Sequence, residues 1–214
     1  MFPHVMGEIE TIAKCSEGFS LSRFGDGEMK MAEGGSYVRQ NGSPTLARTL
    51  RKILTHPHRN CIVGIPTFDD AGAKYTNWLR HMERFEVLLN PSVRYYSAFV
   101  TRPDSAQWIR TREYAESVQA LWAGKRVVVV CEKKGSMARV VKLGAEKMIH
   151  VPCPRHGAFD VINELEDQVL ACDPEIVIAC AGPCATVLAD RLSRLSVQCV
   201  DLGSAGGFLR KLLE

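Results

Sequence analysis

The chain has 214 residues, 46% of them hydrophobic and 24% charged, a balance that lets an ordinary globular core form without a metal or disulfide staple. Its formal net charge of +3 is too small for the basic stripe of a nucleic-acid binder. No apolar run approaches the roughly 18 residues of a membrane span, and the N-terminus lacks the basic-then-apolar pattern of a signal peptide.

In chain order, residues 5–16 read as a helix with Val5, Ile9, Ile12 and Ala13 on one face. Residues 19–24 alternate with period two, as a strand, and end at Gly25-Asp-Gly-Glu28, a sharp turn by composition. Ser43-Pro44 reads as an N-cap followed by proline, opening a helix with Leu46, Leu50, Ile53 and Leu54 at helical spacing. Residues 61–66 form a short strand stopped by Pro66. Residues 69–89 read as a long helix whose stripe carries Trp78, Leu79, Met82, Phe85 and Leu89. A strand over 93–100 and a helix over 104–122 follow. Residues 126–131 are a continuous apolar run, typical of a strand covered on both faces. Then come a helix from Ser136, a strand over 148–151, a helix over 158–171, a strand over 175–181, a helix over 184–195, a strand over 198–202 and a short last helix.

Strands alternating with helices predict a single α/β domain over 1–214, Rossmann-like, with a mostly parallel sheet flanked by helices. In such sheets ligands bind beyond the carboxyl ends of strands. The loops of interest are therefore 25–28, 66–70, 101–104, 132–136, 152–158, 182–186 and 203–207. The eight cysteines include no Cys-x-x-Cys pair and several lie in strand-like runs, which fits free buried thiols and a reducing cytoplasm. The basic segment from Arg39 to Arg59 reads either as a solvated helix face or as a contact for an anionic partner.

Four strand-to-helix loops carry candidate chemistry. In Arg23-Phe-Gly-Asp-Gly-Glu28, Asp26 and Glu28 offer oxygen ligands suited to Mg²⁺ or Mn²⁺, with Gly25 and Gly27 allowing close backbone approach; the alternative is a solvated turn. In Ala181-Gly-Pro-Cys-Ala-Thr186, the helix start at Gly182, Pro183 and Ala185 forms an anion site to which Thr186 adds a hydroxyl, or is an ordinary strand-to-helix turn. In Glu132-Lys-Lys-Gly-Ser136, Lys133 or Lys134 reaches a phosphate with Ser136 as N-cap, although P-loop spacing is missing. Asp201-Leu-Gly-Ser-Ala-Gly-Gly207 looks like the glycine-rich motif of S-adenosylmethionine-dependent methyltransferases, but it follows the last strand instead of the first, and so reads as cleft rim. Arg102 is suited to clamping a phosphate, or forms a surface ion pair. His56, His58, Cys153 and His156 lack the spacing of a structural zinc site.

Taken together, SLSRFGDGE, VGIP, the Thr-Arg-Pro at 101–103, CPxxxAFD at 153–160 and AGPCATVLADRL at 181–192 resemble the bacterial GT-D type glycosyltransferases, over residues 18 to 203. The resemblance implies that the family's Asp-x-Glu metal motif falls on Asp26 and Glu28, as the catalytic centre. It implies Mn²⁺ or Mg²⁺ as cofactor, a UDP-sugar donor with UDP-glucose the first choice, and a glycan, glycoprotein or lipid-linked acceptor in surface polysaccharide or protein glycosylation. Arg23 and Arg102 would lie near the diphosphate, and Gly182–Thr186 would line the donor site. A cytoplasmic location, with peripheral contact at the inner membrane face or homo-oligomerisation compatible with it, goes with that reading. Asp69, Asp70 and Asp160 are candidate bases. The loop 203–207 departs from the family in lacking the polar or acidic cluster expected after the last strand. The rival readings are a methyltransferase-like protein and a nucleotide-binding subunit without transfer activity of its own.

Overall fold

The computed structural model describes residues 2–67, 82–102, 107–132 and 136–214. Among these, the strands are β1 (Val5–Met6), β2 (Ser20–Arg23), β3 (Cys61–Ile65), β4 (Tyr95–Ser97), β5 (Arg126–Cys131), β6 (Lys147–Pro152), β7 (Ile176–Cys180) and β8 (Cys199–Asp201). The α-helices are α1 (Glu8–Ser16), α2 (Asp26–Ala32), α3 (Pro44–Thr55), α4 (Met82–Glu86), α5 (Arg112–Gln119), α6 (Ser136–Val141), α7 (Ile162–Leu170), α8 (Pro183–Arg194) and α9 (Gly206–Leu213). The strands make one eight-stranded sheet in the order β1-β4-β3-β2-β8-β7-β5-β6, with every pairing parallel.

The apolar run of β5 explains the layering. Its side chains alternate, so Val127, Val129 and Cys131 enter one apolar cluster while Val128 and Val130 enter the other. The first cluster packs the sheet against α1, α5, α6 and α9 through Ile12, Val118, Val140 and Leu209. The second packs it against α2, α3, α7 and α8 through Met31, Leu50, Leu165 and Leu188. A parallel sheet with both faces covered needs such unbroken apolar strands, and the α/β expectation holds.

Some elements depart from their expected form. Val5 does not open a helix; Val5 and Met6 pair with Tyr95 and Tyr96 at the sheet edge, and α1 starts after Gly7, leaving Ile9 68% exposed. A two-residue strand buries its side chain by pairing across the sheet, which helical periodicity cannot register. The strand expected over 93–100 stops at Ser97, whose Oγ accepts the Phe99 N–H at 3.0 Å and turns the chain. Residues 104–106 of the helix expected over 104–122 lie outside the described residues; the rest is a 3₁₀ turn at Gln107–Ile109 followed by α5, which starts where the Thr111 hydroxyl accepts the Tyr114 N–H. The 158–171 segment likewise divides into a 3₁₀ turn, Ala158–Val161, and α7. By contrast, α3 begins as read, with Ser43 Oγ accepting the Leu46 N–H at 3.1 Å and Pro44 at its first position. Of the long helix over 69–89, Trp78 and Leu79 lie outside the described residues, and its end is α4, with Phe85 buried. Asp69, Asp70, Lys133 and Lys134 also lie outside them.

Candidate functional site

The segment Gly25–Glu28 is the beginning of α2 and not a free turn. Gly25 is the N-cap, and Glu28 reaches back so that its Oε2 accepts the Gly25 N–H at 2.9 Å. A helix start leaves backbone donors without partners, and a carboxylate three residues on is well placed to satisfy one. Burial pushes the Glu28 carboxyl up to about 7, and the neighbouring charge of Asp201 adds to that, opposed by the Gly25 N–H and by Arg23. Asp26, one residue into the helix, is exposed. Gly27 is buried under the ring of Tyr37: a Cβ there would meet Tyr37 Cδ1 at 2.8 Å, so this glycine makes room for an aromatic ring.

At the end of β2 the Arg23 side chain turns toward β8. Its Nη1 donates to Thr101 Oγ1 at 2.6 Å, and that hydroxyl donates to the Leu202 carbonyl at 2.8 Å. Its Nε lies 3.9 Å from Asp201 Oδ1 and, although buried, makes no hydrogen bond. Asp201 is buried at the end of β8, where its Oδ1 accepts the Gly203 N–H at 2.9 Å. Burial pushes this carboxyl up to about 6, with Arg23 the strongest opposing influence. Gly203 has φ +55°, and a Cβ on it would lie 2.2 Å from Arg23 Nη2.

These groups face one cavity of about 600 Å³ at the carboxyl ends of β2, β4, β5, β7 and β8. Its volume falls in the range of roughly 300–1,000 Å³ usual for small-molecule sites. Of the residues singled out in the sequence, Arg23, Gly25, Asp26, Gly27, Glu28, Arg102, Ser136 and Gly182 line it. Pro183, Ala185 and Thr186 are buried and are not among its lining residues. The start of α8 also offers fewer donors than the sequence reading supposes, because Pro183 has no N–H and the Ala185 N–H is bonded to the Gly182 carbonyl at 2.8 Å. The Thr186 hydroxyl donates to the Arg23 carbonyl at 2.8 Å, so it fastens α8 to β2. Lys134 lies outside the described residues. Asp160 is not in the wall and accepts from Gln40 Nε2 at 3.0 Å; His156 is exposed and away from it.

The cavity also contains Asp201, Glu132 and Arg39, named in the sequence reading only as parts of longer segments, and Tyr37 and Val38, which it did not name. Arg39 Nη1 and Glu132 Oε1 join at 2.7 Å, linking the loop before α3 to the end of β5. Asp201 was discoverable, since an acid closing a strand directly before a glycine-rich loop stands at a carboxyl end. Tyr37 and Val38 carried no such signal, for they lie in an irregular polar segment. The pKa of the Tyr37 phenol is raised by burial first and then by the charges of Asp26 and Glu28, with Arg102 opposing.

Among the described residues no set of three or more His, Cys, Asp and Glu could hold a metal ion. The carboxylates in the cavity wall are Asp26, Glu28, Glu132 and Asp201; one Glu28 oxygen is engaged by Gly25, one Asp201 oxygen by Gly203, and Glu132 pairs with Arg39. Mg²⁺ is commonly bound through one or two carboxylates together with waters and substrate phosphates. The residues therefore fit a hard divalent cation that completes its shell with a diphosphate.

The sequence profile of the glycosyltransferase GT-D fold family matches residues 21–206. Glycosyltransferase GlyD of Streptococcus pneumoniae is 26% identical over 199 residues, which cover 86% of this chain and 24% of that protein. The probable glycosyl transferase Gly of Streptococcus gordonii is 22% identical over 205 residues, covering 87% of this chain and 30% of that one. The chain thus spans less than a third of the length of these curated relatives. A solved structure described as a highly conserved domain with a distinct glycosyltransferase fold superposes with a TM-score of 0.88 at 24% identity, covering 98% of this chain and 81% of the other; it speaks for the fold. No helix among the described residues is long and apolar enough to cross a membrane. With the family profile running from β2 through the cavity loops to the start of α9, this chain belongs to the glycosyltransferase GT-D fold family.

Proposed function

We propose that the chain transfers a hexose from a UDP-sugar to a hydroxyl of a glycan, glycoprotein or lipid-linked acceptor, with Mn²⁺ or Mg²⁺ as cofactor. The observation that carries this reading is the convergence on one cavity of an acidic pair, Asp26 and Glu28, with two guanidinium groups, Arg23 at the end of β2 and Arg102 beyond the turn that follows β4. Family membership supports the reaction class. Glucose as the sugar rests on the sequence resemblance alone.

Asp26 and Glu28 would hold the cation, which when bound supplies charge neutralisation for the departing diphosphate. Arg23 and Arg102 draw the phosphates inward by charge-assisted hydrogen bonds, which are stronger than neutral ones. Arg23 suits this role because Thr101, Asp201 and the bare backbone of Gly203 fix its direction before substrate arrives. Donors held in place ahead of the reaction cost no reorganisation as charge develops. Ser136 and Gly182, on the opposite side of Asp201, give the remainder of the donor a polar boundary.

The test is a thermal-shift panel of nucleotide sugars with and without Mn²⁺, followed by donor hydrolysis in Asp26→Asn and Glu28→Gln. Stabilisation by UDP-sugars that depends on the metal, and loss of hydrolysis in both variants, is expected. Full activity in both variants, or stabilisation by S-adenosylmethionine only, would overturn the assignment.

A further inference from the structure

Three helices of this chain carry their own counter-charges. Arg112 pairs with Glu116 one turn away in α5, Arg194 with Asp190 in α8 and Arg210 with Glu214 in α9. Helix α3 has no acid to pair with. No aspartate or glutamate occurs between Glu33 and Asp69, a stretch that contains Arg39, Arg48, Arg51, Lys52 and Arg59. Arg39 is engaged by Glu132, and the acids of the helices beside α3 are engaged as well, Glu33 at the end of α2 by Arg84 and Asp190 of α8 by Arg194. Arg48, Arg51, Lys52 and Arg59 are all exposed and, among the described residues, belong to no ion pair. Because Leu46, Leu50, Ile53 and Leu54 face the core, Arg48, Arg51 and Lys52 share the outward face, three and four residues apart. Like charges at that spacing destabilise a helix. The helix dipole favours a cation in the last turn, which accounts for Lys52 but not for Arg48 in the middle.

We propose that the outward face of α3, continued by Arg59, is a docking surface for an anionic lipid bilayer. A row of unpaired guanidinium and ammonium groups on one helix face complements a plane of phosphate headgroups, and each such cation near an anionic surface strengthens partitioning roughly five-fold. These cations are interleaved with no Phe, Tyr or Trp on which a nucleobase could stack, and the net charge of the chain is only +3. The attraction is therefore a local patch and not the extended basic track that a nucleic acid follows. Charge without an apolar anchor gives reversible, salt-sensitive binding. The patch adjoins the functional cavity, because the loop that enters α3 at Pro44 contributes Tyr37, Val38 and Arg39 to the cavity wall. Docking through α3 sets that wall beside the headgroups, where a lipid-linked acceptor would be met. The docking itself does not depend on the proposed reaction.

The experiment is co-sedimentation of the full chain with vesicles of phosphatidylcholine alone and of equal parts phosphatidylcholine and phosphatidylglycerol. Binding to the mixed vesicles only, reversed by high salt, is expected. Arg48→Gln, Arg51→Gln and Lys52→Gln combined should weaken that binding by about a hundred-fold, the product of three such contributions. Lys142→Gln, Lys147→Gln and Lys211→Gln remove the same charge from exposed positions elsewhere and should weaken it far less. The α3 variant should melt no lower than the unsubstituted chain, since it relieves like-charge repulsion. A lowered midpoint would mean that these cations are already partnered within the chain, and overturns the proposal. So does a failure to bind the mixed vesicles, an equal loss in the two triple variants, or binding of single-stranded RNA at a salt concentration that strips the chain from the vesicles. None of these results touches the sugar-transfer reading, which the nucleotide-sugar panel tests separately.

Discussion

Ser22 and Thr186 tie β2 to α8 in both directions: Ser22 Oγ donates to the Thr186 carbonyl at 2.8 Å, and Thr186 Oγ1 donates to the Arg23 carbonyl at 2.8 Å. Both residues are fully buried. The pair fixes the strand end from which Arg23 and α2 depart, so it acts on the cavity by holding its frame.

Thr186→Val keeps the volume and removes the hydroxyl. It should destabilise the chain by about 1–3 kcal/mol, the cost of a buried carbonyl losing a partner. Urea denaturation measures this. A raised donor KM with unchanged stability would be the opposite pattern and would place the hydroxyl in the donor site instead.

Gly203→Ala meets two obstacles. An alanine at φ +55° costs roughly 1 kcal/mol, and its Cβ would fall 2.2 Å from Arg23 Nη2. The guanidinium must move, so UDP binding should weaken by roughly ten-fold, the scale of one charge-assisted hydrogen bond. Calorimetry with UDP reads this directly, and unchanged affinity would remove Arg23 from the diphosphate contacts.

The ligand-free chain should lose stability as pH rises from 5 to 8. Glu28 and Asp201 are pushed up to about 7 and about 6, so between the unfolded and folded values the native state binds more protons than the unfolded one. The stabilisation is complete below the unfolded values and is lost as pH climbs through the folded ones. For the buried Asp201 alone the loss is on the order of 2 kcal/mol. Denaturation midpoints at pH 5 and 8 should differ in that sense, and Glu28→Gln should flatten the slope. A chain more stable at pH 8 would contradict the raised values of these two carboxyls.

Thiol chemistry gives an independent check on the core. Burial pushes Cys15, Cys61 and Cys184 up to about 12 and Cys153 to about 11, so almost no thiolate is present near neutrality. Cys172, just beyond α7, and Cys180, at the end of β7, are the two partly exposed thiols, and burial pushes Cys180 well above its ordinary value. Iodoacetamide at pH 7.5 should therefore alkylate Cys172 first in the native chain, and all eight thiols only after denaturation. Equally fast labelling of Cys61 or Cys184, read by peptide mass spectrometry, would mean the packing around β3 and α8 is loose.

Much of the frame was legible before any coordinates. The run Val127–Val130 announced a doubly covered strand because a parallel sheet has no solvent face. Ser43-Pro44 announced the start of α3 because cap and proline chemistry are local. The same rules named Arg23, Asp26, Glu28, Arg102 and Gly182 as residues at strand ends, and all of them reach the cavity. Sequence pattern failed where partners are distant in the chain. Val5 owes its burial to Tyr95, and Thr186 spends its hydroxyl on Arg23.

By itself the sequence determined which segments become strands and helices in the sheet's centre, and that acidic and basic groups sit at strand ends, because these follow from local periodicity and turn chemistry. Only the tertiary structure decided which of those groups meet. Arg23 is brought against Asp201 and Thr101, and Tyr37 over Gly27, by the pairing of β2 with β8 and by the anchoring of the Tyr37 loop through Gln40. The physical reason is range: a backbone preference acts over a few residues, whereas burial, charge compensation and the room left by a glycine depend on neighbours that only the folded sheet brings within contact.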